Sequence, residues 1–200
     1  MKIGIVDYHL NNLRSVQKAF ELIGASSFVS DNPQELLAAD KLVLPGVGAF
    51  GSAMENLRKL HLDEAVKSHV AEGSPLLGIC LGMQLLFDKS YELGEFEGFG
   101  FLHGTVTQFP ATVKVPHIGW NQIDLRKESP LLADIQTGSF VYFVHSYYVE
   151  PAAECVLATT DYGAGFPSIV QQEHVYGMQF HPEKSQSTGL KLLQNFAERS

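Results

Sequence analysis

Cys80 stands in Pro75-Leu76-Leu77-Gly78-Ile79-Cys80-Leu81-Gly82-Met83-Gln84-Leu85-Leu86-Phe87, and a His181-Pro182-Glu183 triplet follows about a hundred residues later. An apolar run, a cysteine, a glycine and helically spaced apolar residues describe a strand, a tight turn and a helix, with the thiol on the turn. There the positive end of the helix favours a thiolate. The triplet supplies an imidazole and a carboxylate two residues apart, suited to a general base and its orienting group. Together these residues define cysteine-dependent acyl transfer. A buried, inert cysteine is the commoner fate of a free thiol, but the strand-to-helix junction and Gly82 favour the reactive reading. The same turn aims the Leu81 backbone N–H at a substrate carbonyl, as one oxyanion donor.

Pro45-Gly46-Val47-Gly48 is expected to provide the second donor, from the backbone at Val47 or Gly48. Two glycines let the chain approach a ligand closely and adopt conformations barred to other residues. A plain strand-to-helix turn would look the same in isolation. Its place after the strand preceding the Cys80 unit gives it meaning. Tyr176–Phe180 reads as a strand, and extended residues two apart project to one side. His181 and Glu183 are therefore expected to face the thiol together, with Pro182 fixing the backbone between them. Of the eight histidines, His117, His145 and His174 are weaker candidates for the base. Only His181 has a carboxylate two residues on, beside an apolar strand and a proline.

Alternating strands and helices must position these groups. Ile3–Val6 reads as a strand, followed by a helix from about Asn12 with Leu13, Val16, Phe20 and Ile23 on one stripe. Ser27–Val29 is a weaker strand, and Leu42–Leu44 a buried one. One long helix is expected over Ser52–Ala71, with Met54, Leu57, Ala65, Val66 and Val70 inward. Leu76–Ile79 carries Cys80, and Met83–Phe87 is placed in the next helix. This alternation predicts a parallel sheet covered on both faces. From Gly98 the texture changes to strands at Thr105–Phe109, Ile118–Ile123, Phe140–Val144, Cys155–Thr160, Ser168–Gln171 and Val175–Phe180. These predict an antiparallel or mixed section. A last helix carries Leu190, Leu193 and Phe196. The expectation is an α/β fold forming a single domain over residues 1–200, with ligand chemistry at the carboxyl ends of the parallel strands.

The chain has 200 residues and a net charge of −8, which argues against a nucleic-acid or anionic-membrane partner. Its two cysteines, Cys80 and Cys155, lie far apart, so a reducing compartment is expected and a structural disulfide is not. The first residues read as a core strand, not a leader, and no apolar run has the length of a membrane span. A cytoplasmic setting is expected.

Pro45-Gly46-Val47-Gly48, Gly78-Ile79-Cys80-Leu81-Gly82-Met83-Gln84 and His181-Pro182-Glu183 resemble the three signatures of class I (triad) glutamine amidotransferases. Within that class, three longer segments resemble the glutaminase subunits of imidazole glycerol phosphate synthase. They are Lys114-Val115-Pro116-His117-Ile118-Gly119-Trp120-Asn121, Tyr142-Phe143-Val144-His145-Ser146-Tyr147 and Gly177-Met178-Gln179-Phe180-His181-Pro182-Glu183-Lys184-Ser185. The resemblance covers nearly the whole chain.

The resemblance implies that Cys80 attacks the side-chain amide of glutamine, with no cofactor and no metal. Gln84 would hold the substrate, the backbone of Ser146 and Tyr147 its α-carboxylate, and Glu92 its α-ammonium. Ammonia would pass directly to a cyclase subunit, a (β/α)8 barrel, in a heterodimer serving histidine biosynthesis. Asn12, Trp120 and Lys184 are expected at the barrel-facing surface, with core packing the alternative for Trp120. The Gly46-Val47-Gly48 backbone is expected to turn an N–H toward or away from the oxyanion when the partner is liganded. One departure concerns Asp7-Tyr8-His9-Leu10-Asn11-Asn12-Leu13, where His9 and Asn11 occupy places the family gives to glycine. The competing readings are the glutaminase of another amidotransferase (anthranilate, aminodeoxychorismate or pyridoxal phosphate synthesis), a stand-alone cysteine hydrolase, and an idle binding subunit.

Overall fold

Short apolar runs in the first half of the chain become strands buried along their length. In a computed structural model describing residues 1–10, 13–151, 153–163 and 165–200, these are β1 (Ile3–Val6), β3 (Lys41–Gly46) and β4 (Leu76–Cys80). With the more exposed β2 (Ser27–Ser30) and the late strand β13 (Val175–Met178) they form a parallel array ordered β2-β1-β3-β4-β13. Continuous burial is what a parallel sheet covered on both faces requires. The array continues through β12 (Gly165–Gln172), β11 (Val156–Asp161), β8 (His117–Leu125) and β9 (Ser139–His145), now antiparallel, to make nine strands. A second sheet of four strands, ordered β10-β7-β5-β6, holds β5 (Phe87–Ser90), β6 (Phe96–Glu97), β7 (Leu102–Gln108) and β10 (Tyr147–Pro151).

Side-chain alternation splits the core. Ile3, Ile5, Val43, Leu77 and Ile79 point toward α1 (Leu13–Leu22) and α6 (Gln186–Arg199), against Phe20, Leu193 and Phe196. Val6, Leu42, Leu44 and Leu76 point the other way. They meet α2 (Pro33–Leu37), α3 (Phe50–Lys59), α4 (Leu62–Ala71), α5 (Leu81–Leu85) and part of the second sheet. Among the described residues, no helix is long and apolar enough to cross a membrane.

Three local expectations are corrected. The single helix over Ser52–Ala71 is two helices, broken where His61 adopts a left-handed φ of 56°. The helix after Cys80 stops at Leu85, because Phe87 is drawn into the second sheet opposite Leu102. The last strand ends at Met178, after which the chain leaves the ladder: His181 N–H donates to Tyr142 O on β9 at 2.9 Å.

Candidate active site

β3 and β4 run in parallel register with Gly46 opposite Cys80, so the glycine loop and the cysteine leave the sheet side by side. Cys80 caps α5 with φ 54° and ψ −110°, a conformation costly for a residue with a Cβ. Packing enforces it. A Cβ on Gly82 would stand 1.7 Å from Leu44 O, and one on Gly78 would stand 2.6 Å from Gly82 O. Only glycine lets the turn press this closely on β3, and the sharpness of the turn holds the sulfur at the end of the strand. Cys80 is 6% exposed. Its Sγ lies 3.8 Å from both Val144 O and Gln179 Nε2.

His181 and Glu183 do face the same way, but through a different local structure than the expected extended chain. His181 is extended, whereas Pro182–Lys184 forms a single 3-10 turn that folds Glu183 back. His181 Nδ1 and Glu183 Oε1 are 2.9 Å apart, and both side chains are almost fully buried. Burial opposes charge on this imidazole, but Cys80 and Glu183 outweigh it and raise the His181 pKa to about 10. With Nδ1 engaged by the carboxylate, Nε2 is buried and has no hydrogen-bond partner. It is the ring atom available to the thiol and to substrate.

A pocket of about 300 Å³ opens beside the sulfur. Its walls bring together eight residues expected from the sequence: Val47, Gly48, Cys80, Leu81, Gln84, Glu92, Ser146 and Tyr147. Glu92 is half-buried and caps the start of α3, its Oε2 accepting from Phe50 N–H at 2.6 Å. Burial raises its pKa, against that hydrogen bond. Gly48 takes φ +107°, open only to glycine at low cost. The Val47 N–H, an expected oxyanion donor, instead donates to Leu10 O at 3.3 Å. Asn12 and the family departure at Asn11 lie outside the described residues, while His9 adopts φ 66°.

Two neighbours of the thiol were not assigned roles from the sequence. Gln179 is fully buried between Cys80 Sγ and Gln84, whose Nε2 donates to Gln179 Oε1 at 3.1 Å. Tyr8 is also fully buried, and its hydroxyl donates to Pro45 O at 2.8 Å and underlies Gly46, fixing the glycine loop. Burial, with Cys80 adding to it, raises the Tyr8 pKa well above its usual range and keeps the phenol neutral. The signal for Gln179 was its place two residues before His181. Nothing local marks Tyr8. Of the other histidine candidates, His117 and His145 pair with each other at 3.0 Å, and His174 bonds Val70 O. Trp120 is 46% exposed, so it is not packed in the core. Lys184 is exposed as well.

This fold and site define a class, and residues 4–199 match the family Glutamine amidotransferase class-I. The chain belongs to that family. Within it, the chain is 52% identical to the imidazole glycerol phosphate synthase subunit HisH of Aquifex aeolicus, over 100% of this chain and 98% of that protein. The HisH subunits of Methanocaldococcus jannaschii and Bacillus subtilis are 48% and 47% identical, each over 98% of this chain and over 98% and 95% of their own lengths. Among solved structures, a glutamine amidotransferase superposes with a TM-score of 0.77 at 21% identity, covering 98% of this chain and 97% of that one. The glutaminase domain of Trypanosoma brucei CTPS gives 0.70 at 18%, covering 100% and 95%. At those identities the likeness concerns the fold.

Proposed function

We propose that Cys80, His181 and Glu183 hydrolyse glutamine in this glutaminase subunit of imidazole glycerol phosphate synthase, an enzyme of histidine biosynthesis. Residues 1–200 act as one catalytic domain. Glutamine enters the pocket with its side-chain amide at the sulfur. His181 Nε2 already holds the proton given up by the thiol, while Glu183 holds Nδ1 and stabilises the imidazolium, so the sulfur faces the amide as a thiolate. Sulfur attacks the amide carbon, and the oxyanion meets the Leu81 N–H and the Val47–Gly48 backbone. The imidazolium gives its proton to the departing nitrogen, ammonia leaves, and a glutamyl thioester remains. Water, deprotonated by His181, cleaves the thioester to glutamate and restores the thiol. Glu92 takes the α-ammonium, which offsets the cost of its half-buried carboxylate, and backbone at Ser146 and Tyr147 takes the α-carboxylate. Gln84 holds the substrate between them.

The observation that carries this reading is the left-handed Cys80 turn placed beside a buried, carboxylate-held His181. Ammonia then passes to a (β/α)8 cyclase subunit, because ammonium released to solvent is no nucleophile. Exposed Ile118, Trp120 and Phe140 on the β8–β9 face, with Lys184 nearby in sequence to His181, suit such an interface. The bond from Val47 N–H to Leu10 O suits partner control: freeing that N–H would complete the oxyanion site. Glutamate release by the purified chain, alone and with cyclase plus its nucleotide ligand, tests the reading against a Cys80→Ala blank. Near-zero activity alone that rises by orders of magnitude with the liganded partner is expected. Activity indifferent to the partner would point to another amidotransferase or a stand-alone hydrolase.

A further inference from the structure

A line of hydrogen bonds with a single direction runs from the β8 strand to the wall of the pocket. It begins at Asn121, whose amide orientation is fixed twice over. Oδ1 accepts from Gln122 N–H at 2.8 Å, and Nδ2 donates to Asp161 O at 2.9 Å. The second Nδ2 hydrogen is then directed at His117 Nε2, 3.3 Å away. A ring nitrogen that accepts carries no proton, so the His117 proton sits on Nδ1. Nδ1 donates to His145 Nε2 at 3.0 Å, which puts the His145 proton on its own Nδ1. That proton goes to Tyr147 O at 2.8 Å. Each tautomer is dictated by the group before it.

The line ends on an atom the pocket uses. Tyr147 O also accepts from Gln84 Nε2 at 3.0 Å, and the other Nε2 hydrogen goes to Gln179 Oε1. With both amide hydrogens committed, Gln84 has only Oε1 left to offer a ligand. A glutamine molecule presents an ammonium and an amide NH2, both donors, so an acceptor is the group it needs.

The surroundings suit fixed, neutral rings. His117 stacks on Tyr162 with centroids 3.9 Å apart and on Phe143 at 4.8 Å, while Phe109 and Phe166 flank His145 at 5.1 and 5.0 Å. Burial pulls the His117 pKa down to about 4 and that of His145 to about 3. A polar chain inside an aromatic cage costs stability relative to apolar packing, so its retention calls for a role at its end.

We propose that Asn121, His117 and His145 are positioning residues for glutamine recognition, fixing Tyr147 O and through it the Gln84 amide with its acceptor toward the substrate. The inference rests on the glutaminase reading above. Its test separates thiol reactivity from recognition, using the full chain paired with its cyclase subunit. Iodoacetamide reports the reactivity of Cys80 alone, and a chloroketone analogue of glutamine reports reactivity plus recognition. In His117→Leu the analogue should react about tenfold more slowly or worse, as expected for one buried hydrogen bond lost, with the iodoacetamide rate unchanged. His117→Asn, which keeps a donor near the Nδ1 position, should recover much of the loss. Asn121→Asp, half-exposed and unable to donate, should shift the analogue rate in the same direction, and it decides the matter if His117→Leu does not fold. Unchanged analogue rates in the variants would overturn the proposal, as would equal slowing of both reagents, which marks a merely structural role. If wild-type labelling by the analogue were not protected by glutamine, the glutaminase reading itself would fail, and this inference with it.

Discussion

His181 and the His117–His145 pair are buried to similar degrees, at 4%, 3% and 6% exposure, yet one is charged and the other neutral. Burial disfavours the imidazolium in all three. At His181 the Cys80 sulfur and the Glu183 carboxylate reverse that effect. At the pair no anion intervenes: the partners are another imidazole, an amide and a carbonyl, and burial prevails. His145 is pushed down further by its neighbours His117 and His181. A charged His181 thus helps to keep His145 neutral. On the proposed mechanism the same side chain serves as an acid–base group in one place and as a directional hydrogen-bond element in the other, and the difference lies in the sulfur and the carboxylate that face His181.

Removing the reacting groups should have the largest effect. Cys80→Ala or His181→Gln should each lower partner-stimulated glutamate release by up to about 10⁶-fold, as for other members of nucleophilic triads. Glu183→Gln breaks the contrast more selectively. It leaves volume and burial in place but removes the carboxylate, one of the two groups that oppose burial at His181. The His181 pKa should then fall from about 10 toward the ordinary value, as read by NMR titration of the ring. Glutamate release should drop by about 10² to 10⁴-fold. A titration that stayed high would mean the sulfur alone holds the charge.

The two regions also differ in how far the sequence reveals them. The Cys80 turn is local: apolar strand, cysteine and Gly82 are contiguous, and the glycine is demanded by Leu44 O one strand away. His181 and Glu183 are two residues apart, so their pairing was legible even though a 3-10 turn, not an extended strand, brings them together. The pair and Gln179 depend on register. His117 meets His145 because β8 and β9 align those two positions, which no local pattern announces. Tyr8 reaches Pro45 across a parallel pairing that is equally non-local. Helix boundaries failed for a related reason: the left-handed His61 ends a continuous apolar stripe without a glycine or proline to mark it.

A smaller effect, on stability, should carry opposite signs in the two regions. His117 and His145 have folded pKa values near 4 and 3, below their ordinary 6.5. Above pH 6.5 both folded and unfolded chains hold them neutral, and their full contribution is present. As pH falls below 6.5 the unfolded chain takes up protons that the folded one refuses. Stability should then decline by up to about 1.4 kcal/mol per pH unit for each ring. His181, raised to about 10, behaves in reverse: its contribution is complete below pH 6.5 and is lost as pH rises through about 10. Urea midpoints measured across pH 5 to 10 should show both limbs. His117→Leu should flatten the acid limb between pH 6.5 and 5, and His181→Gln the alkaline one. An acid limb untouched by His117→Leu would mean that the pair takes up a proton in the folded protein.

The smallest effect on activity is expected where a buried charge has no chemistry to do. Lys41 opens β3, the strand that ends at Gly46 beside Cys80. Its ammonium donates to Phe196 O, Ala197 O and Ser200 O, closing the last turn of α6. Burial lowers the Lys41 pKa, against Asp40. Here carbonyl dipoles at a helix C-terminus take the place of the carboxylate at His181. Lys41→Met keeps the aliphatic stem but leaves those carbonyls unpaired, so it should cost about 1–3 kcal/mol in urea unfolding. Partner-stimulated kcat/KM for glutamine should not change, because the strand between Lys41 and the glycine loop is held by its neighbours on both sides. A fall in kcat/KM below the unfolding transition would show that the two ends of β3 move together, and that this charge acts on the site as well as on the fold.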